Sequence, residues 1–345
     1  NIRNLIHEKD FCYFSSKPGK EIRMSTTSMA ANNLTSVPVL VFVLGFLGAR
    51  LKSDVRIPEQ IYQMISIFLL LGIGIKGGHA LKETSFTSFA MPAVVTCILG
   101  ILIPLLAYLT LKLVRSINNL DRGAIAAHYG STSLVTFSAA LMFLENSGIK
   151  FESYATALLT IMEIPGIIVG IFLGSRHRDR QVEWGRTLRE VITGKTILLL
   201  VGGLLIGAVT TVAAYKKVVP FFIDLQSGFL VLFLLHLGYL AGANWQEIRK
   251  VGLLVGVFGL IFPIIAGGIG AIAGHLIGLS LGGATILAVL CASASYIAAP
   301  AAVTVGLPEA NGPLALMSSI GVTFPFNLLV GIPLYLEIVK KLMNL

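Results

Sequence analysis

The sequence predicts an all-α polytopic membrane protein with ten transmembrane helices, arranged as a 5+5 inverted repeat in which helices 4 and 9 are broken. Three observations lead there: a shortage of charge, ten apolar segments near bilayer length, and a correspondence between the two halves. Of 345 residues, 55% are apolar and 12% are charged, and the mean hydropathy is +0.84. Soluble proteins carry about 25% charged residues, so the chain is too poor in charge to cover a water-facing surface. Its wealth of Leu, Ile, Val and Phe excludes disorder.

The apolar segments fall at about 30–50, 61–78, 89–113, 123–144, 153–174, 196–214, 226–243, 251–277, 283–303 and 313–336. Each approaches the ~20 residues that a bilayer span needs. Four regions follow: a polar tail over 1–29, a first five-helix repeat over 30–174, a basic cytoplasmic loop over 175–195 and a second repeat over 196–345. The tail has no apolar core of signal-peptide type. Met24 is the expected natural start, with the preceding residues a leader, tag or upstream translation.

The net charge of +9 is read through the positive-inside rule rather than as a nucleic-acid surface, because no basic patch with interleaved aromatics exists. The loop 175–195 holds Arg176, Arg178, Arg180, Arg186, Arg189 and Lys195, which places it in the cytoplasm. The connections on its side carry 14 Lys and Arg against seven on the other, counted outside the tail. Both termini are therefore expected outside. Cys12, Cys97 and Cys291 show no paired spacing, so packing is expected of them rather than disulfide or metal chemistry. No cofactor is expected beyond Na⁺ as a coupling ion.

The halves align by their glycines and prolines. Gly74 and Gly78 match Gly238 and Gly242, Gly100 and Pro104 match Gly259 and Pro263, Gly123 matches Gly283, and Pro165 matches Pro325. The offset stays between 159 and 164. Each half holds five spans, an odd number, so the second lies inverted. Inverted repeats are an architecture of secondary transporters, with substrate held where discontinuous helices meet near the midplane.

Segments 4 and 9 carry the break signals. The first reads Tyr129-Gly130-Ser131-Thr132-Ser133. The second reads Cys291-Ala292-Ser293-Ala294-Ser295-Tyr296, with Pro300 beyond, and Ser133 falls on Ser293. Ser and Thr cap helix N-termini, and Pro is tolerated in a first turn. Helix ends here would present N–H groups and a positive dipole end to a small anion. Gly130, Ser131, Thr132, Ser133, Ser293, Ala294, Ser295 and Tyr296 are the expected substrate site. A bland alternative is that small residues with Ser and Thr only let helices pack closely.

Ionisable groups inside spans usually face a cavity. Glu163 precedes Pro165, and its repeat partner is Thr323, close to Asn327. Carboxylate, hydroxyl and amide oxygens suit Na⁺, so these three are the expected cation ligands. His128 lies beside the first break and is read as a proton carrier or a hydrogen-bonded structural residue. His236 and His275 are read as helix-packing residues.

In order along the chain, Gly77-Gly78, Gly130 to Ser133, Glu163-Ile164-Pro165, Gly282-Gly283, Ser293-Ala294-Ser295, Gly306-Leu307-Pro308 and Ser318-Ser319 resemble the cyanobacterial-type sodium-dependent bicarbonate transporters. The resemblance runs from about residue 36 to 340. It implies Na⁺-coupled bicarbonate uptake by an elevator movement of segments 3–5 and 8–10 against segments 1, 2, 6 and 7. It also implies a homotrimer in the plasma membrane and a PII-like regulatory partner at the cytoplasmic face. Two departures concern the second break, where the family reads Ser-Ser-Ser-Asp: Ala294 lacks the hydroxyl and Tyr296 replaces the carboxylate. Glu163 stands where the family usually has Asp, and the loop 175–195 is shorter.

Three other readings remain. One is a symporter or uniporter for another small monoanion, with altered or absent Na⁺ coupling. Another is a passive anion channel. An intramembrane protease, the enzyme reading, is disfavoured because Asp is nearly absent from the spans and no Gly-x-Ser-x-Gly surrounds a candidate serine.

Overall fold

Helix starts follow from short polar caps. Ser85, Asn118, Ser133, Thr211, Ser280 and Asn311 each accept a backbone N–H from the first turn of the helix that follows. A computed structural model of the chain describes residues 31–82, 84–176, 182–246 and 252–345. The polar tail, including Met24, and loop residues 177–181 lie outside the described residues.

Helices dominate the described residues, and thirteen of them are numbered in chain order. In order they are α1 (Val37–Arg50), α2 (Glu59–Lys82), α3 (Phe86–Leu111), α4 (Asn119–Gly130), α5 (Leu134–Asn146) and α6 (Ala155–Ser175). Then come α7 (Trp184–Thr193), α8 (Lys195–Val209), α9 (Val212–Ala243), α10 (Leu253–Leu276), α11 (Leu281–Ala292), α12 (Ala298–Gly306) and α13 (Gly312–Leu342). No strand occurs among the described residues. Both α9 and α13 contain π-type turns, at Pro220–Asp224 in α9 and at Ser318–Thr323 and Asn327–Gly331 in α13. The prolines at 220, 325 and 333 lie at or next to these turns, where the missing N–H disturbs the regular ladder.

By length and composition, α2, α3, α6, α9, α10 and α13 are long and apolar enough to cross a membrane. The pair α7 and α8, bent by 54°, adds a seventh if taken as one span. The chain is a membrane protein. Its shorter apolar helices and its two interrupted segments, α4 with α5 and α11 with α12, do not reach bilayer length singly.

The helices pack in two groups. In one, α2 runs along α8 and α1 along α9; in the other, α3 to α6 pack with α10 to α13. Glycines permit the closest approaches in the first group. A Cβ at Gly78 would lie 2.0 Å from the Leu204 carbonyl oxygen, and one at Gly242 would lie 2.4 Å from that of Phe46. One turn earlier, a Cβ at Gly74 would meet the Leu200 oxygen at 2.8 Å and one at Gly238 the Phe42 oxygen at 2.0 Å. Gly74 and Gly78 stand 164 residues before Gly238 and Gly242, and Phe42 and Phe46 stand 158 before Leu200 and Leu204. These two close approaches between α2 and α8 thus reappear between α9 and α1 with the two halves exchanged.

The second group has a similar exchange. The Glu152 carboxylate before α6 accepts bonds from Ser280 N–H at 2.7 Å and Ser280 Oγ–H at 3.0 Å, before α11. Asp121 in α4 accepts the Asn311 N–H before α13 at 2.6 Å. Outward faces are apolar, with Leu40, Leu44, Met91, Ile98, Ile261 and Ile265 exposed. In α11, Gly282 to Ala292 is buried without interruption, as is Gly123 to Gly130 in α4. The interrupted segments are therefore shielded by their neighbours, the condition under which irregular backbone survives at membrane depth.

Gly78→Ala should lower the melting temperature of the detergent-solubilised protein, since overpacking typically costs about 1–3 kcal/mol. Gly202→Ala in α8, where nothing lies within 4 Å of an added methyl, should leave it unchanged. Equal losses in the two variants would contradict the close approach.

Candidate functional site

The first break begins where α4 ends at Gly130. Ser131 turns to extended backbone with φ −94° and ψ 155°. Ser133 then caps α5, its Oγ accepting Thr136 N–H at 3.2 Å. The second break repeats the pattern. Ser293 is extended at φ −84° and ψ 164°, the chain runs on through Ser295, and α12 starts at Ala298. Ser295 Oγ accepts Ala299 N–H at 3.3 Å. Each break therefore sets a helix N-terminus, with its donors and positive dipole end, beside a helix C-terminus with free acceptors.

The two breaks cross and satisfy one another. Ser133 N–H donates to Ser293 Oγ at 3.0 Å, while Ser293 Oγ–H donates to the Leu290 carbonyl at 2.9 Å. Ser295 N–H donates to the His128 carbonyl at 2.8 Å. The His128 ring returns a bond to the Ser295 carbonyl from Nδ1 at 2.7 Å. A carbonyl only accepts, so Nδ1 carries the proton in this arrangement. Ser319 Oγ lies 3.3 Å from the same nitrogen. His128 is fully buried, and it ties the last turn of α4 to the second break.

Glu163 reaches the first break through close backbone contact. A Cβ at Gly166 would sit 1.9 Å from the Gly130 carbonyl oxygen, so only glycine lets α6 come this near. One turn earlier, Glu163 Oε2 accepts Thr132 N–H at 3.2 Å and also the Thr132 hydroxyl. Glu163 is 2% exposed. A carboxylate that deep is tolerable only with such partners or a counter-ion.

A pocket of about 10 Å³, room for about one water molecule, opens between the breaks and is lined by Thr132, Ser133, Glu163, Thr196, Ser295 and Tyr296, with Leu134 and Ile297. Beyond it lies a cavity of about 390 Å³ between α2, α8, α7 and α12, where Tyr62, Gln63, Glu190 and Lys195 face the opening. Lys195 donates to Gln63 Oε1 there. Tyr296, Ile297 and Thr196 border both spaces.

The eight expected substrate-site residues are brought together at the crossing, although not all line the pocket. Gly130 supplies the close approach to α6, while Ser131, Ser293 and Ala294 are buried behind the lining. The Tyr296 hydroxyl is buried beside Ser133 without a bond of good geometry. The three expected cation ligands do not hydrogen-bond one another. Thr323 Oγ1 donates to the Gly259 carbonyl at 2.8 Å and meets Tyr129 Oη at 2.6 Å. Asn327 Nδ2 donates to the Ala292 carbonyl at 2.8 Å, at the end of α11, and its Oδ1 accepts the Tyr335 hydroxyl at 2.8 Å.

Thr196 was missed in the sequence because a threonine at the start of a span reads as an interface residue. The roles of His128 and Ser319 depend on a contact across 191 residues that no local pattern signals. His236 does pack, stacked on Tyr62 with ring centroids 4.3 Å apart. His275 does not: it is exposed in the last turn of α10, because the apolar face of that helix turns outward there.

Thr132→Val should lower unfolding free energy by about 1.5–3 kcal/mol, the range for a bond to a charged group. The same change in a Glu163→Gln background should cost about 1 kcal/mol less. Additive effects in this double-mutant cycle would contradict the Thr132–Glu163 bond.

The family model of the Na⁺-dependent bicarbonate transporter superfamily matches residues 38–340. No curated protein matches the sequence. The matched region takes in both breaks, Glu163 and every described helix from α2 to α12, with nearly all of α1 and α13. The chain belongs to the Na⁺-dependent bicarbonate transporter superfamily.

Proposed function

We propose that the chain carries bicarbonate across the plasma membrane together with Na⁺, by alternating access. The observation that supports this most directly is the crossing of two helix breaks beside a buried carboxylate, in a member of this superfamily. Bicarbonate is a small oxyanion that needs several hydrogen-bond donors. The hydroxyls of Thr132, Ser133 and Ser295 and the first-turn N–H groups of α5 and α12 are of that kind. Ser131, Ser293 and the backbone at Gly130 and Ala294 hold them in place.

Glu163 supplies a reason for coupling. An ionised carboxylate at the edge of the pocket repels an anion, and that repulsion is strong where the dielectric is low. Na⁺ bound at Glu163 removes it, so anion and cation favour each other's binding. Thr323 and Asn327 are the proposed further oxygen ligands, which requires them to exchange their present partners.

The ten spans are read as a 5+5 inverted repeat, supported by the exchanged contacts of α2 with α8 and α9 with α1. On this reading α3 to α6 and α10 to α13 move as a body against α1, α2, α8 and α9. The basic loop around α7 is placed in the cytoplasm, with both termini outside. The 390 Å³ cavity, bordered by α7, then opens inward. The family resemblance further suggests a homotrimer and a PII-like partner, Na⁺ being the coupling ion and no other cofactor being involved. A second reading, another small monoanion with weaker Na⁺ coupling, is favoured by Ala294 and Tyr296, which make the second break less polar.

Uptake of labelled bicarbonate into proteoliposomes tests the proposal. An inward Na⁺ gradient should stimulate it, and Ser133→Ala or Ser295→Ala should lower it by about tenfold or more, the equivalent of one bond to a charged ligand. Uptake indifferent to Na⁺ and shared with other monoanions would support the second reading instead.

Alternating access has its own test. Lys76 in α2 and Glu145 in α5 face each other across the two groups, 3.6 Å apart. Joining Lys76→Cys to Glu145→Cys with a cleavable bifunctional thiol reagent, long enough to replace the two side chains, should stop transport, and cleavage should restore it. Undiminished flux through the cross-linked protein would identify a passive channel.

A further inference from the structure

The Tyr296 ring stands where the pocket between the breaks meets the larger cavity, since it forms part of the wall of both. Two other residues share that position, Thr196 and Ile297, and neither has a side chain as large. The ring is fixed from behind. Phe324 meets it edge-on with centroids 5.5 Å apart, and Phe42 of α1 in turn meets Phe324 at 5.6 Å. Tyr296 is 8% exposed, and its hydroxyl is buried beside Ser133. On one side of this ring there is room for about one water molecule. On the other there are about 390 Å³.

We infer that Tyr296 closes the pocket between the breaks toward the larger cavity and sets the largest anion that the pocket admits. The inference rests on the proposed transport reading for the identity of the passenger, but not for the geometry. A bulky, edge-packed ring held in this way is a steric barrier: it narrows the passage to the width of a small oxyanion and excludes larger carboxylates. Its hydroxyl can donate to an anion at Ser133. A carboxylate at this position would instead repel the anion or bind a cation, so the phenol gives position 296 a sieving function. A small side chain here would merge the two spaces into one.

Thiol accessibility tests this without any need for transport. Leu134 lines the small pocket and not the larger cavity. Leu134→Cys would be placed in full-length protein whose native cysteines are replaced by Ser or Ala. Its reaction with an anionic methanethiosulfonate reagent would be followed in proteoliposomes, with Tyr296 as Tyr, Phe, Leu and Ala. The modification rate should rise at least about tenfold from Tyr to Ala, lie between for Leu, and stay near the starting value for Phe. The Leu variant keeps the test open if Ala fails to fold. In parallel, benzoate at millimolar concentration should compete with bicarbonate uptake in Tyr296→Ala and not in the unaltered chain. Rates unchanged in both Leu and Ala, or a rise in Phe equal to that in Ala, would overturn the inference. If the chain carries no bicarbonate, the accessibility series still stands or falls alone.

Discussion

A helix that stops inside an apolar layer leaves backbone groups that lipid cannot hydrogen-bond, and this chain stops two helices there. Each unsatisfied group would cost several kcal/mol. The cost is avoided because the breaks lie across one another and exchange bonds: Ser133 with Ser293, and Ser295 with His128 in both directions. Everything around them serves that exchange. Gly166 lets α6 approach, α3 and α10 pack over the buried faces of α4 and α11, and the cap residues begin α5 and α12 at the crossing.

On the proposed reading, the same exchange suits the site to a transported ion. Groups that satisfy each other in the absence of ligand have to be rearranged on binding, which limits affinity and allows release. A rigid cage of charges would hold an anion too well. Here donors are neutral hydroxyls and peptide N–H groups, and the nearest charge, Glu163, has the sign of the anion itself. On the proposed reading, anion binding is then conditional on a cation, which is the physical content of coupling.

Much of this was legible in the sequence, and particular residues show why. The scarcity of charge identified a membrane chain, and the Gly-Ser-Thr-Ser and Ser-Ala-Ser runs identified the two breaks, because caps and small residues act locally. The glycines of α2 and α9 aligned because each must admit a neighbouring backbone, a need that shows in their matched spacing. Long-range partners were not legible. Glu163 meets Thr132 rather than Thr323 because Gly166 brings α6 against the first break, and nothing near Glu163 announces Gly130. His275 looked like a packing residue from its apolar neighbours, yet it is exposed together with Ile272 and Leu276, while Ala271 and Gly274 take the buried side. Span number was less legible than composition: six helices among the described residues reach bilayer length singly, while the two broken segments reach it only as pairs of shorter helices.

The central claim is that a small oxyanion binds between the breaks. A density map of the purified protein, determined with saturating bicarbonate and Na⁺ and again without them, tests it most directly. The account predicts added density within hydrogen-bond reach of Thr132, Ser133 and Ser295, with a second feature at Glu163. Anion density elsewhere, with the crossing unchanged between the two maps, would contradict it.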